Sequence, residues 1–412
     1  MNPDAIVENL SVGAQQRVEI LKAFYRDANV LILDEPTAVL TPQEADDLFV
    51  IMRGLRAEGK SIVFITHKLR EVLAIADRIT VLRGGRVVGQ ASTADVTEQD
   101  LATMMVGRTV ALYERGEAGA AATEAAASLG LSEVPIAPDV AAAPPAPTAA
   151  PVLRVEDLRV RSLGGGSNLA VDGISFAIQP GEILGIAGVE GNGQTELAEA
   201  LTGLRQADGG RVLLGDHPIT NRPPRELIEA GMAHIPEDRH KHGLVLPYPI
   251  SDNVVLSTYR EAPYARGILR LAAPIRALAQ RLIRAFDIRV GRGGPELPAA
   301  NLSGGNQQKV IIARELSRAI RLLVAAQPTR GLDVGSIEFI HGQLREQREK
   351  GTAILLISAE LDEILALADR IGVLYRGKLV AIMPRADATR EKLGLLMAGG
   401  GPDTRARSAI PS

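Results

Sequence analysis

The sequence predicts an α/β fold built on buried parallel strands, carried by a domain type that occurs twice, and three observations lead there. Displacing the chain against itself by 292 residues aligns Asn9–Gly85 with Asn301–Gly377 without a gap, and 29 of those 77 positions are identical. Short apolar runs, I-L-G-I-A-G at 183–188, R-L-L-V-A-A at 321–326 and A-I-L-L-I-S at 353–358, alternate with helix-like segments, as strands covered on both faces should. The first of these runs meets glycines and then T-E-L-A-E-A-L-T, which reads as strand, tight loop and helix.

Length and composition narrow the classes. A chain of 412 residues is too long for one ordinary core and suits two domains and a connector. With 46 basic and 49 acidic residues the net charge is −3, which supplies no field for a nucleic-acid backbone. There are no cysteines, so thiolate metal sites, disulfides and a Cys nucleophile are excluded. The start, M-N-P-D-A-I-V-E-N-L, lacks the pattern of a secretory signal, and no run of about 18 apolar residues occurs.

Taken in order, residues 1–112 are expected to be the C-terminal part of a first domain. The second copy carries a glycine-rich loop at 188–195 whose counterpart would fall about a hundred residues before Met1, so the first copy is expected to be partial. Its strand Val30–Glu35, ending in adjacent carboxylates, is expected to be buried. Residues 113–151, with A-A-A-T-E-A-A-A-S and A-A-A-P-P-A-P-T-A-A-P, read as a disordered linker that cannot build a core. Residues 152–398 hold the second, complete copy, and 399–412 a disordered tail.

Four groups of residues could carry chemistry. Gly188-Val189-Glu190-Gly191-Asn192-Gly193-Gln194-Thr195 fits the phosphate-cradling pattern G-x-x-x-x-G-K-[ST] except that Gln194 replaces lysine. Glycines there let backbone N–H groups turn inward, the helix start adds positive potential, and the Thr195 hydroxyl can ligate Mg²⁺. Ser303-Gly304-Gly305-Asn306 opens a helical run and offers a second anion site, matched in the first copy by Ser11 and Gly13. N-capping alone would explain either serine, but not the Gln-Gln that follows both. Asp34 and Glu35 end an apolar strand, where one carboxylate can hold Mg²⁺ and its neighbour can orient and deprotonate an attacking water. His67 ends the next such strand and could hydrogen-bond a γ-phosphate; a lone histidine is usually structural, but its distance of 33 residues from Asp34 favours function.

These motifs together resemble the ATP-binding-cassette (ABC) transport ATPases, which are P-loop NTPases. The loop at 188–195 is similar to that family's Walker A, Leu302–Gln307 and Leu10–Gln15 to its signature, Asp34-Glu35 to its Walker B with catalytic glutamate, and His67 to its switch histidine. Pro328–Asp333 resembles the loop that crosses the cassette dimer, which brings Asp333 to the nucleotide. His234–Arg239 resembles the segment facing the membrane subunits, with Glu237 where most relatives have Gln. Tandem cassettes with E-D-R in the second copy are typical of importers of simple sugars and nucleosides. The resemblance implies ATP and Mg²⁺ as ligands, transmembrane permease subunits as partners, an extracytoplasmic solute-binding protein as an indirect one, and a peripheral position on the cytoplasmic face of the cell membrane. Translation-associated ABC ATPases, which also fuse two cassettes, and a non-hydrolysing regulatory fragment are the alternatives. The Ala/Pro-rich linker and the near-neutral charge argue against the first of these.

In the family two cassettes face head to tail, with each ATP between the Walker A of one and the signature of the other. One site would then join Gln194 and Thr195 to Ser11 and Gly13. The offset of 292 puts Ala326 opposite Asp34, Gln327 opposite Glu35 and Ala359 opposite His67, so this site lacks the Walker lysine and the groups that activate water. Trading a charge-assisted bond of about 1.5–3 kcal/mol for a neutral one of about 0.5–1.5 weakens binding about tenfold. The site is expected to bind nucleotide and barely hydrolyse it. The other would use Asp34, Glu35 and His67 with Ser303 and Gly305, but its glycine-rich loop is expected to fall in the part before Met1, so the chain as given is not expected to complete it.

Overall fold

The computed structural model describes residues 7, 18–19, 22, 28–37, 40, 42–66, 68–83, 85–106, 150–162 and 168–399. Ser11, Gly13, His67, the expected linker up to residue 149 and the expected tail beyond Gly399 lie outside the described residues.

A six-stranded sheet organises the larger part. Its order is Met232–Ile235, Leu322–Ala326, Ala353–Ser358, Ile183–Ala187, Arg370–Tyr375 and Lys378–Pro384; the first five are parallel and the last is antiparallel. All residues of Ile183–Ala187, Leu322–Ala326 and Ala353–Ser358 are buried, as their unbroken apolar runs require when both faces are covered. An antiparallel sheet of Leu169–Ile178, Leu153–Arg161, Gly209–Leu214 and His217–Pro218 packs on one side of this sheet, sharing a core that includes Leu153, Ile174, Leu197, Leu322 and Leu355. On the other side, the helices Val334–Glu349, Leu361–Leu367 and Arg390–Met397 bring Ile340, Leu344, Ile364 and Leu393 against Ile183, Ile354 and Ile371. A separate helical cluster, Ile250–Asn253, Ala272–Ala285 and Gly304–Leu316, closes on Val254, Leu282, Val310 and Ile311.

The smaller part comprises a parallel pair, Val30–Asp34 with Ser61–Ile65, an antiparallel hairpin, Arg78–Arg83 with Arg86–Ser92, and the helices Pro42–Ala57, Leu69–Ile75 and Glu98–Val106. The described elements here recur in order at the sequence offset of 292, down to details. Thr37 Oγ1 donates to Glu71 at 2.7 Å, and Thr329 Oγ1 to Glu363 at 2.8 Å. The register shift after Val81 recurs after Val373.

One expectation is corrected. The strand expected at Val30–Glu35 forms as Val30–Asp34, and of its residues only Leu31 and Leu33 are buried; Val30 is 60% exposed and Ile32 69%. The helix Pro42–Ala57 covers one face of the pair through Leu48, Phe49 and Met52, and among the described residues nothing covers the other. An apolar run therefore reports what a strand could bury, not what meets it.

The two parts touch. Val334, at the start of its helix, packs into a cluster with Leu69, Ile79, Val81, Leu101 and Ala102. Among the described residues, no helix is long and apolar enough to cross a membrane.

Candidate functional site

The strand Ile183–Ala187 lies between Ala353–Ser358 and Arg370–Tyr375, so the sheet order reverses there and opens a crevice at the strands' carboxyl ends. The loop 188–193 leaves that strand and runs into the helix Gln194–Leu201. Gly193 takes φ 106°, a left-handed conformation, and a Cβ there would lie 2.1 Å from the carbonyl oxygen of Ala170. Only glycine fits.

Asn192 and Gln194 fix the loop from within. Asn192 Oδ1 accepts from the Arg376 N–H at 2.8 Å, and its carbonyl accepts from Gly377 N at 3.0 Å, which ties the loop to the neighbouring hairpin turn. Gln194 is buried and folds back: its Nε2 donates to the Val189 carbonyl at 2.8 Å, and its Oε1 accepts from Asn192 N at 3.1 Å. Its amide therefore satisfies one acceptor and one donor of the loop itself.

Beside the loop is a pocket of about 600 Å³ lined by Thr195, Glu190, Glu237, Asp238, Ala326 and Arg330, among others. A chain of polar contacts crosses it. Thr195 Oγ1 donates to Glu237 Oε2 at 2.9 Å, Arg330 Nη1 to Glu237 Oε1 at 2.8 Å, and Arg330 Nη2 to Glu190 Oε2 at 3.1 Å. One guanidinium thus links the loop to the segment after Met232–Ile235. The far wall is the turn Arg239–Gly243, capped by Asp238, whose side chain accepts from His240 N and Lys241 N; those bonds, that from Lys241 foremost, hold the Asp238 carboxyl below its ordinary range. His234 lies beneath, and burial pushes its imidazole down to about 4, although Glu315 nearby opposes this.

The other predicted residues stand elsewhere. Ser303 is the N-cap residue of the helix Gly304–Leu316, yet its hydroxyl accepts from Asn306 Nδ2 at 2.8 Å instead of capping the helix. Gly305 packs against the next helix, where a Cβ would lie 2.5 Å from Ser336 Oγ and 3.3 Å from Asp333 Oδ2; at Gly304 it would meet Arg239 Nη2 at 3.0 Å. Asp333 caps the helix Val334–Glu349, accepting from Ser336 N at 3.0 Å and Ser336 Oγ at 2.8 Å. Asp34 and Glu35 sit at the end of Val30–Asp34, and Glu35 has φ 44° with its N–H on the Ile65 carbonyl at 2.9 Å. Gln327 repeats this, with φ 47° and its N–H on the Ile357 carbonyl at 2.8 Å.

The structure therefore groups Gly188, Gly191, Asn192, Gly193, Gln194 and Thr195 in one loop and helix start, and keeps Ser303–Gly305, Asp333 and Asp34–Glu35 outside the lining of its pocket. Sequence reasoning missed Glu190 and Arg330 as pocket residues. The available signal was the charged E-D-R run at 237–239 beside P-T-R at 328–330.

Comparison with known proteins identifies the family. The ABC transporter family profile matches residues 2–38 and 171–330. The chain is 45% identical over 400 residues to the nucleoside import ATP-binding protein NupA of Lactococcus lactis subsp. cremoris, covering 97% of this chain and 73% of that protein. It is 46% identical over 402 residues to the guanosine import ATP-binding protein NupO of Bacillus subtilis, covering 97% and 72%. It is 44% identical over 405 residues to the glucose import ATP-binding protein TsgD13 of Haloferax volcanii, covering 98% and 68%. Among solved structures, a nucleotide-free ATP-binding cassette from an ABC transporter superposes with a TM-score of 0.50 at 25% identity, over 60% of this chain and 95% of that one.

Proposed function

Since the chain belongs to the ABC transporter family, we propose that it divides ATP binding and hydrolysis unequally between two cassettes, one spanning 152–398 and the other contributing residues 1–112. It is the ATP-binding subunit of an importer of nucleosides or simple sugars, coupling ATP binding and hydrolysis to uptake. Its partners are then permease subunits in the membrane and, through them, an extracytoplasmic solute-binding protein, with this chain peripheral on the cytoplasmic face.

One observation carries the division of labour. Two strand ends share the same left-handed turn, but one presents Asp34 and Glu35 and the other Ala326 and Gln327. A carboxylate can take a proton from water, and a carboxamide cannot. ATP bound at 188–195 meets a loop whose glycines and helix start favour its phosphates. At the strand end beside it stand Ala326 and Gln327, where the other half has Asp34 and Glu35.

Mg²⁺ fits the same place, since Thr195 Oγ1 and Glu237 Oε2 are two oxygen donors 2.9 Å apart, the donor type a hard cation takes. When bound it would offset phosphate charge, with Thr195 holding it at this site and Asp34 at the other. Arg330 brings a further cation to the pocket rim, although two carboxylates occupy it. In the competent site, Glu35 accepts the proton of the attacking water and His67 holds the γ-phosphate. Ser303, Gly304 and Gly305 close that site from the facing cassette, as Ser11 and Gly13 close the other.

Titration with a fluorescent ATP analogue tests this. Binding is expected to depend on Mg²⁺ and to weaken in Thr195→Val, without turnover that requires Gln327. Hydrolysis that survives Glu35→Gln and vanishes in Gln327→Ala would assign the chemistry to the wrong half. Membranes carrying the cognate permease should retain the chain, and failure to do so would reject the coupling role.

A further inference from the structure

The two parts of the molecule meet at residues that are each other's counterparts. Under the offset of 292, Lys68 corresponds to Glu360 and Arg70 to Asp362. In the structure Lys68 Nζ lies 2.9 Å from Glu360 Oε1, and Arg70 Nη1 lies 3.3 Å from Asp362 Oδ1. A residue that touches its own counterpart lies on the two-fold axis of an isologous contact. Two such contacts two residues apart fix the axis beside the N-terminal ends of the helices Leu69–Ile75 and Leu361–Leu367.

The flanking residues obey the same symmetry, with charge reversed. Arg70 Nε is 3.5 Å from Glu98 in the first half, and Asp362 bonds Arg390 in the second, where 98 and 390 are again counterparts. All three positions therefore change sign between halves: Lys68 against Glu360, Arg70 against Asp362, and Glu98 against Arg390. The apolar positions do not discriminate, since Leu69 faces the same choice as its counterpart Leu361.

We propose that this inversion is a pairing code: it directs the first half of the chain onto the second half and keeps like halves of two chains apart. Symmetry makes the discrimination unavoidable. A first half paired with another first half would set Lys68 on Lys68 and Arg70 on Arg70. Two second halves would oppose Glu360 to Glu360 and Asp362 to Asp362. On an axis neither partner can be displaced without displacing its mate, so each axial pair turns from attraction to repulsion. Each pair is partly exposed and individually weak; reversing the sign of one pair is worth about fivefold in pairing. The code rests on the reading of the chain as two paired cassettes, and its partner is the complementary half.

The absence of cysteines permits a direct test in the full chain. Residues 70 and 362 are changed to cysteine, R70C/D362C, and treated with a short bismaleimide, so that the intrachain product runs as an altered monomer and the interchain product as a dimer. The intrachain product is expected to dominate. Adding K68E should cut it about fivefold, and adding E360K to that variant should restore it, which also shows that the fold survives. Equal intrachain yield with and without K68E, or no recovery in K68E/E360K with an unchanged melting profile, would overturn the code while leaving the paired halves standing. No intrachain product in R70C/D362C itself would remove the contact, and with it both the code and the pairing on which it rests.

Discussion

Replacing Gln194 by lysine should tighten ATP binding at the loop about tenfold and still give no turnover there. The native amide spends both its hydrogen-bonding groups on the loop, donating to Val189 O at 2.8 Å and accepting from Asn192 N at 3.1 Å. To touch a phosphate it must leave those partners, exchanging neutral bonds for another neutral-donor bond, so its net gain is small. A lysine has no carbonyl to offer Asn192 N, but that N–H still lies 3.3 Å from Val189 O, and Val189 O still accepts Asn192 Nδ2 at 3.0 Å. The substitution orphans no buried group. The ammonium adds a charge-assisted bond stronger than the amide's by about 1.4 kcal/mol, which is the tenfold factor. Isothermal titration with Mg²⁺ and ATP measures it. Equal or weaker affinity in a variant that melts normally would refute the account of the loop, and hydrolysis appearing at this site with Gln327 still in place would refute the assignment of roles.

Further outcomes are expected elsewhere. Gly305→Ala puts a Cβ 2.5 Å from Ser336 Oγ and should disturb the Asp333 cap, costing about 1 kcal/mol in thermal or urea unfolding. Gly304→Ala meets only the end of Arg239 at 3.0 Å and should cost less; the reverse order would contradict the packing described. Arg330→Ala removes the link between Glu190 and Glu237, so hydrogen exchange should speed up in residues 188–193, and unchanged protection would show that the ion pairs do not order the loop. The His234 imidazole titrates near 6.5 when unfolded and about 4 when folded, so the unfolded chain binds more protons between those values and stability falls as pH drops from 6.5 to 4. The ceiling is about 3 kcal/mol, lowered because the ring borders the pocket and keeps some solvent contact. Urea midpoints against pH should be flatter in His234→Gln, and parallel curves would exclude this residue as the cause.

Much of the fold was legible because its strands are buried on both faces. Ile183–Ala187, Leu322–Ala326 and Ala353–Ser358 announce themselves as apolar runs, and glycines mark where the first turns into a helix. The same rule failed at Val30 and Ile32, whose hydrophobicity says nothing about what lies opposite them. The loop's position could be read from its glycines, but not the direction of Gln194, since an amide can satisfy backbone groups as readily as a ligand. The contacts of Arg330 with Glu190 and Glu237 join three distant stretches of chain, and no local spacing encodes that meeting. The contact between counterparts is legible only after the fact: the repeat reveals which residues correspond, while their sign change becomes meaningful once they are seen to touch.

The bend shared by Glu35 and Gln327 has one more implication. A non-glycine residue held at φ near 45° is costly to maintain, yet the chain maintains it at the end that carries Gln327 as well as at the end that carries Glu35. The scaffold is the same with an acid or an amide on it. The difference between the two ends is a matter of a few side chains on one frame, and substitutions could cross it in either direction without rebuilding any backbone.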